Sequence, residues 1–293
     1  MRILIIKLGA TGDVVRTTPL LRRFSGSVNW ITAEKNLPLV QGIESEVRVV
    51  PWGGRRTLAD CRYDLVINLE DDRETSGFLN ELKFDQLFGA HLDGNGQLIY
   101  TEDSRAWFDL SLISRFGRKE ADRLKLLNRR TYQDLIFDGL GFRFTGERYF
   151  LPAPIETGLS GDVAIAAEAG PVWPMKKWAY YDELKQRLES RGLTVNLLPA
   201  RSSFLEHLYD VQNHQCLVGG DSLPMHFALG TATACVTLFT CTSPWEIHDY
   251  GVQKKIISPL LEEFFYTRGY DHRATTAISV EETLKHVIES LPG

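Results

Sequence analysis

This 293-residue sequence has few cysteines, no long apolar run and no excess of positive charge. The four cysteines form no Cys-x-x-Cys pair, which argues against a metal knuckle or a disulfide framework and fits a reducing cytoplasm. Apolar runs such as residues 3–6 are far shorter than the roughly 20 residues that cross a bilayer. The start of the chain, residues 1–7, is too short for the core of a signal peptide. A net charge of −5 argues against a general affinity for nucleic acid.

Short apolar, β-branched runs alternate with polar helical stretches, a pattern that predicts parallel sheets covered by helices. The predicted strands are residues 3–6, 28–32, 47–50, 65–69, 163–166, 194–198, 216–218, 235–239 and 255–257. The predicted helices include residues 75–87, 131–139, 180–190, 204–212 and 280–290. The fold class is therefore α/β.

A segment rich in proline and glycine, residues 151–161, has the composition of a linker. It predicts two Rossmann-like β/α/β domains, residues 1–155 and 156–278, followed by a C-terminal helix, residues 279–293, which we expect to pack back on the first domain. Two such domains would face each other across a cleft at the carboxyl ends of their strands, where open α/β sheets bind ligands.

Charge is distributed unevenly between the two halves. Residues 1–150 contain 22 Lys and Arg against 21 Asp and Glu, whereas residues 151–293 contain 11 against 17. Within the first half, residues 105–130 contain eight basic and three acidic side chains. This stretch is either an ordinary solvated face or a surface that attracts a phosphorylated acceptor or the inner face of the cytoplasmic membrane.

The first motif, residues 7–24, runs from a predicted strand through a loop with Gly9, Thr11 and Gly12 into a helix. Its glycine spacing is not Gly-x-Gly-x-x-Gly, so it does not predict nicotinamide binding. Asp13 lies where the helix is predicted to begin. A helix N-cap and a general base facing the cleft are both compatible with an aspartate at this position.

The second motif, residues 170–184, follows a predicted strand and contains two tryptophans and two lysines. Lys176 or Lys177 could neutralise a diphosphate while Trp173 or Trp178 packs beside a ring. The alternative is a solvated lysine pair beside tryptophans that close the edge of the domain.

The third and fourth motifs also follow predicted strands. In residues 216–230 a Gly-Gly turn precedes Asp221 and Ser222, and His226 lies four residues after Ser222, on the same helical face. The helix start and these side chains would donate hydrogen bonds to a phosphate. In residues 236–247 the strand ends in three hydroxyl residues, Thr240, Thr242 and Ser243, which form a third loop at the same edge of the sheet. The alternative is that Ser243 is an ordinary helix N-cap.

A metal site is a competing hypothesis for one further cluster. Glu70, Asp71 and Asp72 follow a predicted strand, and clustered carboxylates can bind a divalent ion beside a diphosphate. No other cluster of hard ligands supports this hypothesis, so we expect no metal.

These segments, in this order, resemble the heptosyltransferases of glycosyltransferase family 9. Gly9-x-x-Gly12-Asp13 is similar to the family's strand–GxxGD–helix start, and residues 221–226 are similar to its D-[TS]-x-x-x-H donor loop. Residues 238–244 resemble its LFGPT turn and residues 173–178 its lysine–tryptophan–proline loop. Residues 63–70 and 128–144 also resemble family segments. The likeness spans nearly the whole chain.

The resemblance implies a GT-B fold and an inverting, metal-independent transfer of a sugar, heptose-type, from a nucleotide-diphosphate donor, ADP-linked, to a lipopolysaccharide or related glycan. It makes Asp13 the general base. It assigns the donor to Lys176, Asp221, Ser222, His226, Thr240 and Thr242, and the acceptor-side loop to Gly9, Thr11 and Gly12. Thr240 and Cys241 depart from the family's glycine and proline, and Leu223 stands where glycine is usual.

Two other functions are compatible with this fold. A nucleotide-sugar epimerase or hydrolase would share the donor site but would need a second acid or base, which the sequence does not supply. The departures at Leu223, Thr240 and Cys241 suggest a binding protein without efficient catalysis.

Overall fold

The computed structural model describes residues 1–44, 46–110 and 116–292. It divides into two compact units, Met1–Pro152 and Ala153–Gly293. Arg115, one of the basic residues of the stretch 105–130, lies outside the described residues.

The first unit contains a six-stranded sheet within the described residues, in the order β3-β2-β1-β4-β5-β6. The strands are β1 (Arg2–Ile6), β2 (Ser27–Thr32), β3 (Val47–Pro51), β4 (Arg62–Asn68), β5 (Lys83–Leu92) and β6 (Leu98–Tyr100). The helices are α1 (Thr11–Thr17), α2 (Leu37–Val40), α3 (Arg73–Phe78), α4 (Arg105–Phe108), α5 (Arg118–Leu127) and α6 (Tyr132–Gly139). The first five strands are parallel and β6 is antiparallel. Because β1 pairs with both β2 and β4, the loop after β1 lies at the point where the strand order reverses.

Strand β1 explains why the chain begins with an unbroken apolar run. Ile3, Leu4, Ile5 and Ile6 are all fully buried. Ile3 and Ile5 belong to one apolar cluster and Leu4 and Ile6 to another, so both faces of the strand are covered. A central parallel strand needs apolar residues on both faces, in place of the alternating pattern of a half-exposed strand.

The second unit contains a parallel five-stranded sheet within the described residues, in the order β11-β10-β9-β7-β8. The strands are β7 (Gly161–Ala166), β8 (Val195–Leu197), β9 (His214–Gly220), β10 (Ala234–Phe239) and β11 (Gln253–Ile257). The helices are α7 (Tyr181–Glu189), α8 (Phe204–Gln212), α9 (Leu223–Thr231), α10 (Leu261–Phe264), α11 (His272–Thr276) and α12 (Val280–Ile288). Since β7, β9 and β10 are neighbours, the loops that follow them emerge at one edge of the sheet.

The predicted helix at residues 75–87 is wrong in its second half. Helix α3 ends at Phe78, a 3₁₀ turn covers Leu79–Glu81, and β5 begins at Lys83. The apolar residues Phe84 and Leu87 are three apart, a spacing that also fits a helix. In the structure this segment pairs with β4 over its length, and strand pairing overrides the local pattern.

The C-terminal helix α12 packs on the core of the second unit, and its contact with the first domain stays a prediction. Val280, Leu284 and Val287 are buried in the apolar core around β7, β9 and β10. The indole N–H of Trp178 donates to the Ile278 carbonyl oxygen at 2.9 Å, which holds the segment before the helix in the same core. The helix has one apolar face, and that face is covered by its own unit.

The cysteines are free thiols in the structure. Cys216, Cys235 and Cys241 are buried and Cys61 is half-buried. Burial raises the pKa of the Cys216 and Cys235 thiols to about 12, so both stay protonated and unreactive near neutral pH.

Within the described residues, no helix combines the length and apolar character needed to cross a membrane.

Candidate functional site

Asp13 lies in the first turn of α1 and does not cap the helix. The N-cap position is occupied by Ala10, which makes no side-chain capping bond, and Asp13 is the third helical residue. The N-cap interpretation of Asp13 is therefore wrong. The Asp13 carboxylate lies 2.9 Å from the Arg16 guanidinium, and its side chain is 31% exposed. Because the Asp13 carboxylate is oriented by this contact and is reachable by solvent, a substrate hydroxyl group could also reach it, as a general base requires.

Arg16 connects Asp13 to Tyr132, which comes from a distant part of the chain. The Arg16 guanidinium stacks 4.0 Å from the centroid of the Tyr132 ring. The Tyr132 hydroxyl lies 2.7 Å from the Thr17 hydroxyl. Burial, with a smaller contribution from the Asp13 charge, raises the pKa of Tyr132, so this phenol stays neutral. Arg16 thus contacts both the Asp13 carboxylate and the ring of the neutral Tyr132.

Local capping sets the position of Tyr132. Helix α6 begins with a capping box in which Thr131 and Asp134 bond each other's backbone N–H groups. Tyr132 is the first residue of that helix. The sequence analysis singled out residues 128–144 but missed Tyr132 and Arg16 as neighbours of Asp13. The Thr131–Asp134 spacing, which is typical of a capping box, was the sequence signal that puts Tyr132 at the start of a helix.

The acidic cluster after β4 supports local structure. Glu70 forms an ion pair with Lys7 at 3.0 Å. Asp72 caps α3 by accepting from the N–H groups of Glu74 and Thr75. In the described part of the chain, no group of three His, Cys, Asp or Glu residues is placed to hold a metal ion. The metal hypothesis for Glu70, Asp71 and Asp72 has no support in this geometry.

The structure distinguishes the two lysines of the loop after β7. The Lys176 ammonium donates to the Asp221 carbonyl oxygen at 2.6 Å and to its carboxylate at 3.1 Å, so it joins the loops after β7 and β9. Lys177 pairs instead with Glu168 at 2.9 Å, and the Lys177 side chain is 53% exposed. Lys176 is therefore the lysine at the predicted donor loop, and Lys177 belongs to a solvated ion pair.

The end of β9 approaches the Lys176 backbone closely because its last residue is glycine. A Cβ atom at Gly220 would lie 3.1 Å from the Lys176 carbonyl oxygen, which leaves little space for any side chain. Ser222 occupies the N-cap position of α9 without capping it, and its hydroxyl donates to the Gly220 carbonyl oxygen at 3.3 Å. His226 is buried in the first turns of the same helix. Asp221, Ser222 and His226 are thus grouped at the start of α9, the positive end of a helix.

The loop after β10 completes this edge of the sheet. The Thr240 hydroxyl donates to the Met175 carbonyl oxygen at 2.8 Å and ties the loop to the lysine loop. Thr242 and Ser243 are each 2% exposed. Neither of their hydroxyl groups has a hydrogen-bond partner among the described residues. Unpaired buried hydroxyl groups are unfavourable, and a polar ligand is one way to satisfy them.

Two details of this loop were missed by the sequence analysis. No helix begins at Ser243, since the residues between β10 and β11 form turns, so the N-cap interpretation of Ser243 is wrong. The Lys255 ammonium lies beneath the turns and donates to the Pro244 carbonyl oxygen at 2.8 Å and to that of Ile247. Burial lowers the pKa of Lys255. Lys255 is one of two adjacent lysines in β11, and this pattern carried no signal of the role.

The comparisons identify proteins with the same fold. No protein-family model and no curated protein matches the sequence. An E. coli heptosyltransferase WaaC structure with ADP is 14% identical and has a TM-score of 0.66, covering 99% of this chain and 100% of the other. The E. coli ADP-heptose lps heptosyltransferase II is 16% identical with a TM-score of 0.62, covering 99% of each chain. A family 9 glycosyl transferase from Veillonella parvula is 14% identical with a TM-score of 0.61, covering 99% and 97%.

These similarities establish the fold. The chain has the two-sheet α/β architecture of the heptosyltransferases over nearly its whole length, as the sequence motifs implied.

Proposed function

We propose that this protein is an inverting, metal-independent glycosyltransferase that moves a heptose-type sugar from an ADP-linked donor to a lipopolysaccharide or related glycan. The observation that carries the proposal is the polar edge of the second sheet. There the Lys176 ammonium contacts Asp221 just before α9, and the Thr240 hydroxyl bonds the backbone of the lysine loop. The same fold occurs in a heptosyltransferase solved with ADP.

The second unit supplies the groups that a departing diphosphate needs. Negative charge builds on the leaving oxygen as its bond to the anomeric carbon breaks. The Lys176 ammonium has three donors, two of which contact Asp221. Its remaining donor and the positive end of α9 would stabilise that charge, and the Ser222 hydroxyl would join them by turning away from the Gly220 carbonyl oxygen.

The first unit supplies the base. An acceptor hydroxyl is a poor nucleophile at neutral pH, so its proton must leave as the new bond forms. Asp13 takes this proton, the acceptor oxygen attacks the anomeric carbon opposite the leaving group, and ADP departs. Attack on that face inverts the anomeric centre. Arg16 lies 2.9 Å from the Asp13 carboxylate and orients it.

Nucleotide-sugar binding tests the proposal most directly. Thermal unfolding of the protein would be measured with ADP-, UDP- and GDP-sugars, followed by incubation with a glycolipid acceptor. We expect the ADP-sugar to stabilise the protein, by about 2.7 kcal/mol at 100 times its Kd, and sugar transfer to depend on acceptor. Epimerised or hydrolysed sugar without acceptor would favour the epimerase or hydrolase. Donor binding without any transfer would favour a degenerate binding protein, and no binding would contradict all three.

We also propose that α5 attaches the protein to an anionic membrane surface, where a glycolipid acceptor resides. Arg118 and Lys119 are exposed at its start. Phe116 and Leu127, at its two ends, are 55% and 60% exposed. Basic side chains with apolar neighbours are typical of helices that bind an anionic interface.

Charge reversal tests this attachment. We expect Arg118→Glu with Lys119→Glu to weaken binding to phosphatidylglycerol-containing liposomes about 30-fold, because each basic residue near such a surface contributes about 1 kcal/mol. Lys285→Glu, at an exposed position on α12, is the control and should leave binding unchanged. If the variant with Arg118→Glu and Lys119→Glu sediments with the liposomes as well as the wild type does, α5 is only a solvated face.

A further inference from the structure

Glu70 holds the loop between β1 and α1 through one carboxylate oxygen. Its Oε1 accepts from the backbone N–H of Leu8 at 2.7 Å and from that of Gly9 at 3.2 Å. The same oxygen accepts from the Lys7 ammonium at 3.0 Å. Three donors from three consecutive residues thus meet on a side chain that is distant in sequence. The Glu70 position follows from the pairing of β4 with β1, which places the residues after both strands side by side.

The loop is also held by a residue that follows β2, the strand on the other side of β1 from β4. Asn36, which is fully buried, donates from its side chain to the Leu8 carbonyl oxygen at 2.7 Å. Leu8 therefore has its N–H bound by Glu70 and its carbonyl bound by Asn36. Helix α1 begins three residues further on, and Asp13 lies in its first turn. Fixing Leu8 and Gly9 consequently fixes the start of the helix that carries the proposed base.

We propose that Glu70 is a positioning residue for the proton transfer carried out by Asp13. The inference rests on the proposed function in that Asp13 must act as the base. Glu70 orients the backbone before α1 by accepting the Leu8 and Gly9 N–H groups. Its charge in turn is balanced by Lys7. Displacing a catalytic group by about 1 Å can cost on the order of 100-fold in rate, so a loop of this kind has to be held tightly.

A single substitution of Glu70 would mix two effects. It would remove the acceptor of the two N–H groups, and it would leave the buried Lys7 ammonium without its carboxylate partner, which is strongly destabilising. Substituting Lys7→Met first removes the second effect. In that background, Glu70→Gln keeps an acceptor oxygen at the end of a side chain of the same length. Glu70→Leu has a similar volume and no acceptor, so the two double variants differ in the property under test.

The test compares Lys7→Met/Glu70→Gln with Lys7→Met/Glu70→Leu. We expect the Leu variant to turn over donor and acceptor about 30- to 100-fold more slowly than the Gln variant, with Kd for ADP equal within about twofold. Amide hydrogen exchange of residues 7–13, followed by mass spectrometry, should be faster in the Leu variant. Asp72→Ala is the matched control, because it removes the α3 cap on the same loop without touching residues 7–9. It should alter neither kcat nor exchange in residues 7–13.

Each outcome decides the inference. Equal exchange in residues 7–13 for the Gln and Leu variants would overturn it, whatever the activity. Faster exchange with equal kcat would show that Glu70 holds the loop but does not position the base, which also overturns it. If the wild-type protein transfers no sugar, the proposed function fails, and exchange alone still reports whether Glu70 holds the loop.

Discussion

Replacing Asp13 with asparagine is expected to lower the turnover number by 10²–10⁴, the usual contribution of a general base, while Kd for ADP changes by no more than about twofold. Asparagine has the shape of aspartate but cannot take up the acceptor's proton. Because Asp13 belongs to the first unit and the proposed diphosphate contacts belong to the second, donor affinity should be largely insensitive to the change. Steady-state kinetics with calorimetric titration of ADP separate the two quantities.

The ion pair between Asp13 and Arg16 needs its own control. Arg16→Gln removes the guanidinium but leaves the carboxylate that accepts the proton. Its stacking on Tyr132 is lost as well, so thermal unfolding should show some loss of stability. We expect a smaller decrease in turnover than for Asp13→Asn. If Asp13→Asn transfers sugar at a near-normal rate, the assignment of the base is wrong.

The central strands could be predicted because burial on both faces leaves an unambiguous pattern. All nine predicted strands are present, and residues 3–6 fall within a strand whose apolar side chains are fully buried. Strands β5 and β6 were missed because β5 is buried only over residues 88–90 and β6, the edge strand, has no buried residue, so neither has a long apolar run. A strand of that kind is defined by its partner more than by its own composition.

The polar residues at the strand ends of the second sheet could be recognised from the sequence, but their arrangement could not. Strand ends followed by glycine, serine and lysine indicated Lys176, Asp221 and Ser222 from sequence. Only the structure shows that Lys176 contacts Asp221, because the residues are 45 positions apart. The same holds for Glu70, which is 62 positions from Leu8 and comes close to it only because β4 lies beside β1. Long-range pairing of single polar residues leaves no local pattern.

Replacing Lys176 with methionine is expected to weaken ADP binding about 10- to 100-fold, because a hydrogen bond to a charged group contributes roughly 1.5–3 kcal/mol. Turnover should fall further, since the leaving diphosphate carries more negative charge in the transition state than in the bound donor. The substitution also removes the two hydrogen bonds to Asp221 that connect the loops after β7 and β9. Calorimetry with ADP and kinetics at saturating donor measure the two effects separately.

Lys177→Met is the matched control for this prediction. It removes a lysine from the same loop, one residue away, and breaks only the exposed pair with Glu168. Surface pairs of this type contribute about 0–1 kcal/mol to stability, so ADP affinity and turnover should both stay close to those of the wild type. The opposite result is that Lys177→Met loses donor affinity and Lys176→Met does not. The diphosphate would then bind on the outer side of this loop, beside Lys177. Lys176 would then serve only to fasten the start of α9 to the loop after β7, and the donor contacts proposed for Asp221 and Ser222 would be wrong as well.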